Sequence, residues 1–240
     1  MSLFNSVAIE CPVCKTANAF ELAASVNADR RPDLRDEILA GTFQALRCGQ
    51  CGARLKPPPA MTYIDVGRHQ WILVQPFAQL EQWQAFEEQA RAVFERTFGA
   101  AAPLAAQAMG KALDVRIAFG WPALREKIRC RELGLDDVAL ELLKMAVLRN
   151  VSGAPVSDDA ELRLLGAEDG MLELGWVRGE EEAVVASLKV PRDVYDHVAA
   201  DRGAWQPLRD QLSGRPFADY NRFLVEPAAP APRPDPGAAP

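Results

Sequence analysis

Four of the five cysteines fall in two matched pairs, Cys11-Pro-Val-Cys14 and Cys48-Gly-Gln-Cys51. Two residues between the thiols allow both sulfurs of a tight turn to face one ion while backbone N–H groups donate to them. Four thiolates fill a tetrahedral shell and leave no position open for water, so the chemistry is structural. Metal binding then contributes to the folding of the surrounding chain. Zn2+ is the expected cofactor, with Cys11, Cys14, Cys48 and Cys51 as its ligands. Gly52 follows the second pair, where a positive φ is favoured. Lys15 holds the equivalent place after the first, where that conformation costs more but its charge can offset the tetrathiolate. The rival chemistry is dithiol redox at Cys11-Pro-Val-Cys14, which should open a helix within a βαβ unit. Here strand-like residues follow the first pair, and a second pair matches it.

Other chemistry-bearing residues are scattered. Cys130 stands alone on an expected helix and reads as a half-buried thiol. His69, in an expected hairpin turn, and His197, on an expected helix, are the only histidines. No nucleophile elbow and no glycine-rich phosphate loop occurs, so no catalytic residue is assigned. Arg125, Lys127, Arg129 and Arg131 form a basic run that reads as a solvated or salt-bridged helix face beside Glu126, Glu132, Asp136 and Asp137. Asp136 and Asp137 suit a helix start. The five tryptophans, Trp71, Trp83, Trp121, Trp176 and Trp205, read as core or interface anchors.

These residues need elements to place them. The chain leads into the first pair through an extended Val7–Glu10 and leaves it through a strand near Ala19–Ala24. Pro32 opens a helix whose early Asp33, Asp36 and Glu37 suit its positive end, with Leu34, Ile38 and Leu39 facing inward and Gly41 ending it. A strand at Phe43–Arg47 enters the second pair. Strands at Met61–Val66 and Gln70–Val74 join through Asp65-Val66-Gly67-Arg68 as a hairpin. Leu80–Phe98 carries an apolar stripe of Leu80, Trp83, Phe86, Ala90, Val93, Phe94 and Thr97 at helical spacing, with Glu87, Glu88, Arg91 and Glu95 mostly off it. Beyond an alanine-rich stretch at 99–110 come a strand at Asp114–Phe119 and helices at Trp121–Glu132 and 136–148. Strands at Leu162–Leu165, Met171–Val177 and Ala183–Val190 form a meander, and Val194–Leu212 is mainly helical. The expected fold class is α+β: an N-terminal zinc-ribbon-like β unit with an inserted helix, then helices and a small antiparallel sheet. Expected domains are 1–78, a connecting helix and linker at 79–110, a mixed α/β domain at 111–226, and a disordered Pro/Ala-rich tail at 227–240.

Composition narrows the function classes. The net charge is −6, and residues 151–240 hold sixteen acidic against nine basic side chains. Phosphate contacts need a basic surface, so nucleic acid is a weaker candidate ligand. No run of about 18 apolar residues occurs, which argues against a membrane-spanning helix. The N-terminal residues lack the pattern of a secretory signal, and a cytoplasmic protein is expected.

The cysteine pairs and their surroundings resemble the CpXC domain family of bacterial proteins. The stretches ASVNADRRPDLRDEILAGTFQALRCGQCG, PPPAMTYIDVGRHQWILVQP and RIAFGWPALREKIRCRELGLDDVALELLK carry the likeness, which covers about residues 7–150. It departs at Gly49, where the family motif favours proline; glycine is common in zinc knuckles. The resemblance implies a zinc-ribbon-like metal site and no established biochemical activity. Three readings follow: a zinc-stabilised, non-enzymatic adaptor binding another protein or its own copy; a nucleic-acid-associated zinc-ribbon protein; and an enzyme with an interdomain cleft using residues such as His69, Asp65 or Asp137.

Overall fold

The computed structural model describes residues 2–151, 160–179 and 182–227. The tail expected at 227–240 lies, from residue 228 on, outside the described residues.

Strands β1 (Leu3–Glu10) and β2 (Ala17–Asn27) form an antiparallel hairpin running from Leu3 opposite Ser25 to Glu10 opposite Ala17. Helix α1 (Pro32–Ala40) follows, with Pro32 in its first turn, Asp33 at its positive end and Gly41 closing it at φ 72°. Leu34 and Ile38 are its buried residues. The expected strand from Phe43 shrinks to β3 (Leu46–Arg47), which pairs with β4 (Arg54–Leu55). Gln44 takes φ 54° and the Ala45 N–H bonds to the Thr42 carbonyl, so the chain turns where an extended run was expected. Strands β5 (Met61–Asp65) and β6 (Gln70–Gln75) make the antiparallel hairpin, with His69 left-handed in its turn.

A 3-10 turn at Phe77–Gln82 leads into α2 (Trp83–Phe98), and a short α3 (Leu104–Gly110) occupies the alanine-rich stretch. Strand β7 (Asp114–Phe119) then returns to pair parallel with β6 from Asp114 opposite Gln70 to Phe119 opposite Gln75. One five-stranded sheet, in the order β1-β2-β5-β6-β7, therefore draws strands from both sides of residues 79–110. Every residue of β6 from Gln70 to Val74 is buried because both sheet faces are covered. Tyr63, Ile72 and Val74 meet α1 and Trp121, Leu124 and Ile128 on one side. Trp71, Leu73, Ile117 and Phe119 meet Trp83, Ala90 and Phe217 on the other.

Helices α4 (Gly120–Glu132) and α5 (Asp137–Asn150) lead to the second half. Asp136 caps α5 by accepting the Ala139 N–H at 2.7 Å. Strands β8 (Ala160–Glu168), β9 (Met171–Arg178) and β10 (Ala183–Pro191) form a separate antiparallel sheet with β9 central. Helices α6 (Arg192–Ala200) and α7 (Gln206–Leu212) complete its core, which gathers Leu142, Leu164, Leu174, Tyr195 and Leu212. The fold is α+β. Among the described residues no helix is long and apolar enough to cross a membrane.

Candidate metal centre

The tip of the β1–β2 hairpin carries Cys11 and Cys14, and the tip of the β3–β4 hairpin carries Cys48 and Cys51. The two turns are built alike. Cys11 N–H bonds to the Thr16 carbonyl and Lys15 N–H to the Cys11 carbonyl, each at 2.9 Å. In the second turn Cys48 N–H bonds to the Ala53 carbonyl and Gly52 N–H to the Cys48 carbonyl, also at 2.9 Å. Lys15 takes φ 61° and Gly52 φ 71°, so both turns close through a left-handed residue. The Lys15 ammonium lies 3.8 Å from Glu10 and is largely solvent-exposed.

The four Sγ atoms lie within 4.8 Å of one another, with Cys11–Cys51 at 3.7 Å and Cys14–Cys48 at 3.5 Å. All four are free thiols, since a disulfide would bring its sulfurs to about 2 Å. Cys11 and Cys48 are buried with Leu55, and Phe20, Leu46 and Ala53 pack around them as a small cluster of their own. Backbone N–H groups of Cys51 and Gln50 favour the Cys48 thiolate and hold it at about 6. Cys51 receives the Ala53 N–H, yet crowding by the Cys14 and Cys11 sulfurs, together with burial, pushes it up to about 12. Four thiolates this close oppose one another, and a cation at their centre relieves that opposition. The arrangement could hold a metal ion.

Asn18 is a part of this centre that the spacing of the cysteines does not announce. Its Oδ1 accepts the Gly49 N–H at 2.9 Å, while its Nδ2 donates to the Thr16 carbonyl at 2.8 Å and faces Cys48 Sγ at 3.5 Å. One side chain on the first hairpin thus ties the second knuckle in place.

The remaining sequence candidates are not drawn to the cysteines. Cys130 is buried, rather than half-buried, with its thiol toward the Leu135 carbonyl, and burial raises its pKa well above the ordinary value. Of the two readings of the basic run on α4, solvated or salt-bridged, the structure has the salt-bridged one, and more deeply buried than a surface face would be. Lys127 is 3% exposed, Arg125 pairs with Glu182, Arg131 pairs with Asp114, and Arg129 donates to the Leu39 carbonyl. The physical reason is that α4 is covered twice: by the five-stranded sheet on one side, and by β8 and the segment 216–221 on the other.

That second covering creates a buried ionic cluster that sequence reasoning missed. Lys144 Nζ sits 2.8 Å from Glu126 and 2.7 Å from Glu141. Arg163 joins Glu126 at 2.9 Å to Asp219 at 2.6 Å and also pairs with Glu161. Lys127 pairs with Asp137 at 3.1 Å, and Arg116 grips the same carboxylate through two hydrogen bonds. Glu126, Glu141 and Asp219 lie close enough for a metal, but Lys144 and Arg163 already supply the positive charge between them. Burial raises Glu141 to about 7, despite Lys144 and Lys127 beside it. Asp137 and Asp219 are also penalised by burial, yet their cations hold them well below the usual carboxylate range. Five carboxylates face four cations here, and burial raises Glu161 as well as Glu141.

Glu87, expected mostly off the apolar stripe of α2, is likewise 5% exposed. It accepts the Phe217 N–H at 3.1 Å and pairs with Arg222 at 2.9 Å. The segment 216–222 therefore acts as a polar strap, bonded to α2, α4, α5 and β8.

Comparison with curated proteins and with solved structures gives no match. The CpXC protein family model matches residues 9–144, more than half of the chain and all four clustered cysteines. With two alike knuckles converging on one tetrad inside that span, the chain belongs to the CpXC protein family.

Proposed function

We propose that this chain is a zinc-stabilised, non-enzymatic adaptor that binds another protein or a second copy of itself. The observation that carries the reading is the closed cysteine tetrad. Zinc–thiolate bonds of ~2.3 Å give a tetrahedron with edges of ~3.8 Å. The Sγ separations of 3.5 and 3.7 Å fit that edge. A fully protein-ligated zinc holds structure and offers no vacancy for a reactant. A cytoplasmic location suits free thiols serving as metal ligands.

The nucleic-acid reading is the weaker one. Its best support was the basic run at 125–131, whose side chains are occupied by Glu182, Asp114 and carbonyl groups or buried. The overall charge of −6 also opposes it.

The test has two parts. Purified protein should retain about one zinc per chain by elemental analysis, and Cys48→Ser should lose it; metal-free protein of unchanged stability removes the zinc reading. The zinc-loaded chain should then either self-associate in light scattering or form a stoichiometric complex with a partner captured from its native cells and re-purified. Binding to nucleic acid that weakens steeply with salt, with no protein complex, would replace the adaptor reading with the second one.

A further inference from the structure

The edges of the two larger sheets are guarded unequally. On β7 the Ile117 N–H is taken by the Pro216 carbonyl at 2.8 Å. On β8 the Leu162 N–H bonds to the Tyr220 hydroxyl at 2.9 Å and the Leu164 N–H to the Glu126 carboxylate at 2.7 Å. Strand β10 carries Lys189 and Pro191, and its register is irregular between Val184 and Ala186. Covering, charge, proline and bulges are the usual means of keeping a sheet edge from pairing with another chain. The fourth edge is β1, at the end of the five-stranded sheet. From Phe4 to Ile9 it has no charged residue and no proline, and Asn5, Ser6, Val7 and Ala8 are exposed.

The ladder fixes which groups of β1 face outward. The Cys11 N–H points inward, to the Thr16 carbonyl. Inward and outward residues alternate along an antiparallel strand, so Ile9, Val7 and Asn5 also bond to β2. Phe4, Ser6, Ala8 and Glu10 therefore turn their N–H and C=O groups to the open side. Among the described residues nothing else bonds to these groups. The regular stretch is bounded by a register shift between Leu3 and Phe4 and by the knuckle at Cys11, so its midpoint is Val7. Over most of this length β1 and β2 are hydrogen-bonded as a two-stranded ribbon, since the pairing of β2 with β5 covers Ser25–Asn27. Two strands alone are marginal in water, and further strands stabilise them.

We propose that the β1 edge pairs with β1 of a second copy of this chain, antiparallel about a two-fold axis at Val7. This rests on the adaptor reading and names its partner. Phe4 to Glu10 of one copy then lies along Glu10 to Phe4 of the other. The outward residues of the two strands exchange about eight hydrogen bonds. Val7 faces its own image in a non-hydrogen-bonded pair, where Cα atoms approach to about 4.5 Å. Glu10, the one charge on the strand, faces Phe4 rather than another Glu10, so no like charges stand opposite one another. The strand is in this sense complementary to itself. A two-fold contact uses the same patch on both chains and closes at a dimer. Each ribbon gains the strands it lacks from the other.

The test measures the mass of the full chain, as purified, by sedimentation. The parent should be dimeric at ~100 µM, a concentration that populates a complex of micromolar Kd. Val7→Lys and Val7→Glu each set like charges across the axis, and each alone should be monomeric. An equal mixture of the two should return to a dimer, because lysine then faces glutamate. Ser6→Pro removes an outward donor without touching the bonds to β2, so it should be monomeric with the circular dichroism of the parent. Val184→Lys, at an exposed position of β10, should leave the dimer intact. A parent that is monomeric at that concentration, a dimer that survives both charge substitutions, or a mixture that stays monomeric overturns the proposal. The adaptor reading fails separately: a monomeric chain that still forms a complex with another protein keeps that reading and loses this one. If Ser6→Pro abolishes such a complex, the edge receives a foreign strand and not a second copy.

Discussion

Lys15 and Gly52 occupy equivalent positions one residue after the second cysteine of each knuckle, and both are left-handed, at φ 61° and 71°. Only one of them is a glycine. A side chain in that conformation costs about 1 kcal/mol. The compensating charge on Lys15 is exposed and engaged with Glu10, so it contributes less than that. Lys15→Gly should therefore tighten zinc binding by up to about fivefold in chelator competition. Weaker binding would mean that the ammonium outweighs the backbone strain.

Asn18 orients the second knuckle from the first hairpin. Partners that position metal ligands typically affect affinity by about ten- to a hundredfold. Asn18→Ala should lower zinc affinity within that range without altering the far-ultraviolet circular dichroism of the rest of the protein. An unchanged affinity would reduce Asn18 to a surface contact.

Lys144 bridges Glu126 and Glu141 in the interior. Removing one partner of a buried ion pair leaves a charge without compensation and costs about 3–5 kcal/mol. Lys144→Met should show a loss of that order in urea denaturation, and Lys144→Met combined with Glu141→Gln should recover part of it. A loss below about 1 kcal/mol would indicate that water reaches the cluster.

Acidity should read out the same cluster in two opposite directions. Glu141 is raised to about 7 from 4.5, so the folded chain keeps a proton that the unfolded chain releases. Stability from this group is present below about pH 4.5 and is lost as pH rises towards 7. Relative to the parent chain, Glu141→Gln should gain on the order of 1–3 kcal/mol between pH 4.5 and 7.5. Asp137 and Asp219 are shifted down, so their contribution is present above pH ~4 and is lost on further acidification. Denaturation midpoints measured across this range, with Glu141→Gln and Asp219→Asn beside the parent chain, separate the two slopes. A flat difference for Glu141→Gln would show that Glu141 is ionised throughout.

What could be read from the sequence was short-range. The knuckles, helix α1 between Pro32 and Gly41, the β5–β6 hairpin, strand β7 and the Asp136 cap each depend on residues within one turn or one strand of one another. The placement of β7 beside β6 could not be read, because nothing local marks which strand it joins. The ionic cluster was hidden for the same reason. Glu126 and Lys127 looked like an ordinary charged helix face, since Arg163 and Ala218, which bury them, stand 37 and 91 residues away in sequence. Glu87 found its partner at Phe217, 130 residues on. Charged residues on a helix are read as solvated until the covering strap is known, and the strap itself has no periodicity to announce it.

Among the described residues, the β1–β2 hairpin is hydrogen-bonded to the rest of its sheet through Ser25–Asn27, which pair with Thr62–Ile64 of β5. From Ser25 to Ala17 the ribbon extends about 26 Å beyond that joint, at about 3.3 Å per residue. The cysteines sit at the end of this span, within their own small apolar cluster. Metal loss would therefore melt an outlying arm while leaving the trunk folded, giving two transitions of separate origin: one set by zinc availability and one by temperature. In that geometry a bound ion would work as a latch on a projecting limb. Its release would change what the far end of the molecule presents to its surroundings without sacrificing the body that carries it.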